Sequence, residues 1–112
     1  MDDSAKRRLA HNEALARRMN EALEALEALP PGERSSPRWF ICECSRPECT
    51  DYIVEITPDD FERIHQHPRR FILRPGHEDW ELESIVEARG GYVVVEKKGE
   101  AGRQADAEAE RG

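Results

Sequence analysis

The chain has 112 residues, of which 37% are charged and 38% hydrophobic on a count that includes alanine, and its formal net charge is -7. That length admits one ordinary domain and excludes a large enzyme core, while the acidic balance weighs against nonspecific attachment to nucleic acid or anionic membrane. Twelve of the hydrophobic residues are alanines, so the supply of larger apolar side chains for a core is modest.

Residues 1–30 read as one long amphipathic helix, with Ser4 as N-cap behind Asp2 and Asp3 and with Pro30-Pro31-Gly32 as its stop. Leu9, Asn12, Ala16, Met19, Leu23 and Leu26 recur at alternating spacings of three and four, and Leu15, Ala22 and Leu29 widen the stripe. Glu13 and Arg17 are placed to form an i,i+4 pair on its flank. At 1.5 Å per residue such a helix reaches about 39 Å, more than a small domain can cover. Leu9, Leu15, Met19, Leu23 and Leu26 are therefore expected to contact a protein partner or a second copy of the chain, with folding back onto its own domain as the alternative. A linker with prolines and serines follows over 31–38.

All seven aromatic residues lie between Trp39 and Tyr92, which places the globular domain at 39–98. Within it, 39–42 and 51–57 read as strands. Thr57-Pro58-Asp59-Asp60 is a helix start, with Phe61 and Ile64 on one face and Pro68 at the end. Residues 71–74 are a third strand, closed by Pro75-Gly76. The stretch 81–97 reads as a hairpin with arms 84–88 and 92–96 joined through Arg89-Gly90-Gly91, and a short helix over 79–87 is the alternative for its first arm. Residues 99–112 contain only Gly, Ala, Glu, Asp, Arg and Gln and read as a disordered acidic tail. The expected fold is α+β: a long N-terminal helix, then a small zinc-stabilised domain of short antiparallel strands with one short helix.

Three cysteines within eight positions, Cys42, Cys44 and Cys49, suit a metal site in a reducing compartment better than a disulfide framework. With no long apolar run to serve as a membrane span or signal-peptide core, the expected location is the cytoplasm. Pro47 is expected to bend the loop so that Cys49 returns toward the other two thiols. Tetrahedral zinc needs a fourth ligand. His77 is preferred because the Pro75-Gly76 turn aims it at a fixed point after a strand. His65 and His67, at the end of the short helix, are the alternatives, and His11 is the least favoured. A structural zinc can supply on the order of 10–16 kcal/mol of apparent binding free energy in a small domain, which compensates for a meagre core.

Glu43 lies between two ligands and is expected to point away from the metal into solvent, because side chains alternate along a strand. No deaminase, zincin, P-loop or dinucleotide-binding pattern is present, so a non-enzymatic zinc-binding adaptor or regulatory module acting through the N-terminal helix is the leading expectation. A thiol-based redox or metal sensor is one alternative. A nucleic-acid-binding zinc module, using Arg69, Arg70 and Arg74 beside Trp39 or Phe71, is another. Against the last, residues 39–98 carry 8 Lys+Arg and 13 Asp+Glu.

Phe40-x-Cys42-x-Cys44-x4-Cys49, Pro75-Gly76-His77-Glu78 and Val93-Val94-Val95-Glu96-Lys97, preceded by Asn12-Glu13-Ala14-Leu15, occur together in this chain. In this the sequence resembles a family of short bacterial proteins, chiefly actinobacterial, over most of residues 9–98. The resemblance implies that His77 joins the three cysteines, and it brings no activity with it.

Overall fold

Short runs of β-branched and aromatic residues, each bounded by turn formers, fold into two small antiparallel sheets between three helices. The computed structural model describes residues 1–26, 36–46, 48–49 and 51–111, without the side chains of Leu26, Val54 and Glu55. In chain order the elements are α1 (Asp3–Leu26), β1 (Arg38–Ile41), β2 (Tyr52–Ile56), α2 (Pro58–His65), β3 (Arg70–Leu73), β4 (Glu83–Ala88), β5 (Val93–Lys97) and α3 (Gly99–Arg111). This is the expected α+β arrangement. The Pro30-Pro31-Gly32 stop, Leu29, most of the linker and Pro47 lie outside the described residues.

β1 pairs with β2, and β5 sits between β3 and β4 in the second sheet. The β4–β5 hairpin forms as expected, with Glu83 opposite Lys97, and Gly90 at φ +78° supplies the left-handed turn residue between the arms. The alternative helix over 79–87 is replaced by a turn, Leu82 N–H to the Asp79 carbonyl at 2.9 Å, that leads into β4. Both faces of β5 are covered, which explains its three consecutive valines. Val94 packs with Ile72, Phe40, Ile53, Phe61 and Ile64 on the side of β1, β2 and α2. Val93 and Val95 pack with Phe71, Leu73, Cys42, Cys44 and Ala105 on the other side. The period of two along β3 and β5 thus sorts one run of apolar residues into two clusters. Helix α2 begins as its sequence dictates: Thr57 Oγ1 accepts from Asp60 N–H at 3.1 Å, and Pro58 takes the first helical position.

Residues 99–111 overturn the expectation of a disordered tail. They form α3, which lies against α1 and buries Ala101, Gly102, Ala105 and Glu108. The composition that suggested disorder is what this interface needs. Ala10 and Ala14 of α1 are also buried, and small side chains on both helices let the backbones approach, so little apolar bulk is required. A Cβ at Gly102 would stand 3.1 Å from the Lys97 carbonyl and 2.5 Å from the Arg69 guanidinium. Polar clasps complete the contact. Glu108 binds His11 at 2.6 Å and Arg18 at 2.6 Å, and Arg69 reaches Asp106 at 2.8 Å. Burial pushes the Glu108 carboxyl up, but the bonds from His11, Arg18 and Gln104 outweigh that and hold it at about 2.

Helix α1 is built the opposite way round from an ordinary surface helix. Its inner face carries Ala10, Glu13, Ala14, Arg17 and Asn20. Its outer face carries Leu15, Met19 and Leu23, which are 44%, 58% and 45% exposed. Three polar residues anchor it. Glu13 meets Lys97 in a fully buried cluster completed by Glu83. Arg17 donates to the carbonyls of His65, His67, Pro68 and Arg70 past the end of α2, the negative pole of that helix. Asn20 exchanges two 2.9 Å bonds with the Ile41 backbone and donates a third to Glu43. The expected Glu13–Arg17 pair is therefore not made; Arg17 pairs with Glu21 at 2.9 Å. The cap also differs, since Asp2 Oδ1, not Ser4, accepts from Ala5 N–H at 2.7 Å. Leu9 is half-buried against Ala10, Leu82 and Ala101, so it belongs to the core side and not to the exposed stripe.

Candidate metal centre

One lysine between two carboxylates, as at Lys97, can neutralise only one of them. Burial accordingly pushes the Glu13 carboxyl up to about 7 against the pull of Lys97, and burial also lowers Lys97 itself. This cluster is structural glue beneath α1. The metal-ligand chemistry lies elsewhere, at the far end of β3.

There the chain brings Cys42, Cys44, Cys49 and His77 together, with one donor atom from each lying within 4.8 Å of all the others. No disulfide links the thiols. Cys42 follows β1 and is fixed by its N–H to the Asp51 carbonyl at 2.9 Å. Cys49 closes a turn on the Arg46 carbonyl at 3.1 Å. His77 follows the turn after β3, where Gly76 at φ +90° adopts a conformation that side chains disfavour and His77 N–H bonds the Arg74 carbonyl at 3.1 Å. The expectation that Pro75-Gly76 aims the fourth donor is thereby met.

His77 Nδ1 is 3.5 Å from Cys42 Sγ and 3.6 Å from Cys49 Sγ. With Zn–S of about 2.3 Å and Zn–N of about 2.05 Å, a tetrahedral angle places sulfur and nitrogen about 3.6 Å apart. The donor set and these two sulfur–nitrogen spacings fit zinc. The other ring nitrogen, Nε2, lies 3.3 Å from Asp51 Oδ2, the carboxylate–histidine pairing that orients a ligating imidazole. Arg74 N–H reaches Cys42 Sγ at 3.2 Å and supplies a donor to the sulfur.

The thiols already share charge unequally. The hydrogen bond from Cys42 pulls Cys44 down to about 5 despite its burial, with further help from Arg46 and His77. The same bond, followed by burial, drives Cys42 upward, and burial raises Cys49. A metal requires the thiolate form of each. Cys42 and Cys44 are buried whereas Cys49 and His77 are half-buried, so the centre opens to one side. That side is a shallow depression of about 490 Å³ bordered by Arg46, Glu48, Glu78, Asp79 and Trp80.

The other histidines are committed elsewhere. His65 Nε2 binds Glu43 Oε1 at 2.8 Å, His67 is exposed, and His11 is held by Glu108. The backbone carbonyls of His65 and His67 at the end of α2 are met by Arg17. Glu43 corrects the sequence reading most sharply, because its side chain is fully buried. The stretch 42–44 has left β1 and runs beside β3: Glu43 N–H bonds the Ile72 carbonyl at 2.8 Å, and Glu43 Oε1 accepts from Ile72 N–H at 2.9 Å. A carboxylate thus stands in for a strand's acceptor, held on its other sides by His65 and Asn20. The strand alternation behind the solvent-facing expectation does not apply to a segment that is no longer a strand. A Glu between two closely spaced ligands gave no sequence signal for this.

The basic run is also spent internally. Arg69 pairs with Asp106, Arg70 with Glu96 at 3.1 Å, the Arg74 guanidinium bonds the Tyr52 carbonyl at 3.2 Å, and Phe71 is buried. No helix among the described residues is long and apolar enough to cross a membrane. Comparison with protein-family models, with curated proteins and with solved structures returns no match to this chain.

Proposed function

We propose that the chain is a non-enzymatic module in which a structural zinc fixes a small α+β body, and that it acts by presenting the outer face of α1 to another protein. One observation carries the reading. Leu15, Met19 and Leu23 of α1 point outward while Glu13, Arg17 and Asn20 are spent on the body, an arrangement that costs burial unless a second surface covers the three apolar residues. Four protein donors would fill the coordination of a tetrahedral zinc, the ligand count of a structural site and not of a catalytic one. The reducing cytoplasm is the compartment in which such thiolates persist.

Metal analysis of wild type, Cys49→Ser and His77→Ala tests the first half. About one zinc per wild-type chain and none in either variant is the expected result, and full retention in His77→Ala removes the proposed ligand set. Capture of interacting proteins by wild type and by Met19→Lys, which leaves the fold intact, tests the second half. Identical captures would reject the docking face. A thiol-based sensor is the second reading, favoured by the partial exposure of Cys49. It requires zinc release by mild peroxide at that residue, and a metal retained under peroxide rejects it.

A further inference from the structure

The outer face of α1 has an internal symmetry. Leu15 and Leu23 stand four residues either side of Met19 and are equally exposed, and Ala16 and Ala22 stand three residues either side. Over the four residues on either side, the apolar pattern reads the same in both directions from Met19. An isologous interface between identical chains needs a patch that is complementary to itself under a two-fold rotation. A helix stripe that is palindromic about one residue provides this when two copies cross antiparallel at that residue.

Charge selects the same arrangement. Arg8 lies on the outer face, exposed and without an ion-pair partner among the described residues, whereas the last turn of α1 carries no basic residue. Antiparallel crossing at Met19 carries Arg8 of one copy past Leu26 of the other, off the C-terminal end of that helix, where its dipole is negative. Parallel crossing would set Arg8 against Arg8.

We infer that the occupant of this face is a second copy of the chain, paired antiparallel through α1 with Met19 on the two-fold axis, so that Leu15 of each copy packs on Leu23 of its mate. This rests on the reading of the outer face as a docking surface. A single helix per copy buries less than the roughly 800 Å² per partner of a standard interface, so the association is expected to be weak.

The test is sedimentation equilibrium on the full, zinc-loaded chain from about 10 to 500 µM, a range spanning that weak association. Wild type is expected to rise in weight-average mass from the monomer toward the dimer across the range. Met19→Lys is expected to stay monomeric with an unchanged circular dichroism spectrum. Leu15→Glu and Leu23→Lys are each expected to be monomeric alone and to form a dimer when mixed. A wild type that stays monomeric throughout overturns the inference, as does a dimer indifferent to Met19→Lys. Dimer recovery from Leu15→Glu mixed with Leu15→Lys, but not with Leu23→Lys, overturns the antiparallel arrangement. A monomeric wild type leaves the docking reading standing, because that reading fails on the capture comparison instead.

Discussion

Glu13 offers the sharpest quantitative test of how α1 is held. Its carboxyl is fully buried against Lys97, whose charge also serves Glu83, and burial raises it from 4.5 to about 7. For an acid whose folded value lies above its unfolded one, the folded state binds the extra proton, so stability falls as pH rises between the two values. Below pH 4.5 both states are protonated and the group contributes nothing. Above about 7 the penalty is complete, and 2.5 pH units correspond to about 3 kcal/mol as an upper bound. Glu13→Gln keeps a carbonyl oxygen facing Lys97 but has no proton to lose. Urea unfolding of wild type and variant, both zinc-loaded, should show the variant gaining on wild type by up to about 3 kcal/mol between pH 5 and pH 8. The metal centre's own pH dependence is common to both proteins and cancels in the difference. A difference that stays flat over that interval would refute the account of Lys97 as one charge shared by two carboxylates.

Three further outcomes follow from named contacts. Asn20→Ala removes both bonds to the Ile41 backbone and leaves buried Glu43 short of a donor, so urea unfolding should show a loss of about 2–3 kcal/mol, against a change within about 0.5 kcal/mol for Leu23→Ala on the exposed face. Glu108 lies well below its ordinary value, so its contribution is present above about pH 4.5 and lost as pH falls toward 2; amide-exchange protection of α3 should decline over that interval in wild type and not in Glu108→Gln, and parallel declines would count against the clasp. Gly102→Ala should lower the melting temperature, at a cost of about 1–3 kcal/mol for overpacking against the Lys97 carbonyl; the gain of about 1 kcal/mol that glycine-to-alanine brings in an open helix would show that α3 does not approach so closely.

The parts of this fold legible in the sequence are those set by local rules. The Thr57 cap with Pro58 behind it, the Gly90 turn between alternating arms, and the Pro75-Gly76 turn before His77 are each specified within a few residues. The convergence of His77 on three thiols was legible because metal ligands come from a short menu. The missed features depend on what lies across the interface. Hydrophobic periodicity located a stripe on α1 but carried no information on whether the domain or another surface covers it. The domain took the face with Glu13, Arg17 and Asn20, because buried acceptors and carbonyls were waiting there. Helix α3 was missed because an interface of alanine and glycine is composed like a linker, and Glu43 because its burial is arranged by Asn20, His65 and Ile72, each distant in sequence.

The anchoring of α1 by Glu13, Arg17 and Asn20 leaves that helix a single seat. A helix resting on grease can slide or roll by a fraction of a turn at little cost. Here a slip of one turn would part all three residues from the Lys97 cluster, the carbonyls beyond α2 and the Ile41–Glu43 segment at once. The azimuth of Leu15, Met19 and Leu23 is consequently locked to the segment that carries Cys42 and Cys44. A partner docked on the outer stripe, as proposed, would hold a handle keyed to the candidate metal centre, and loosening the cysteine loop would misalign that handle even while the helix itself stays formed.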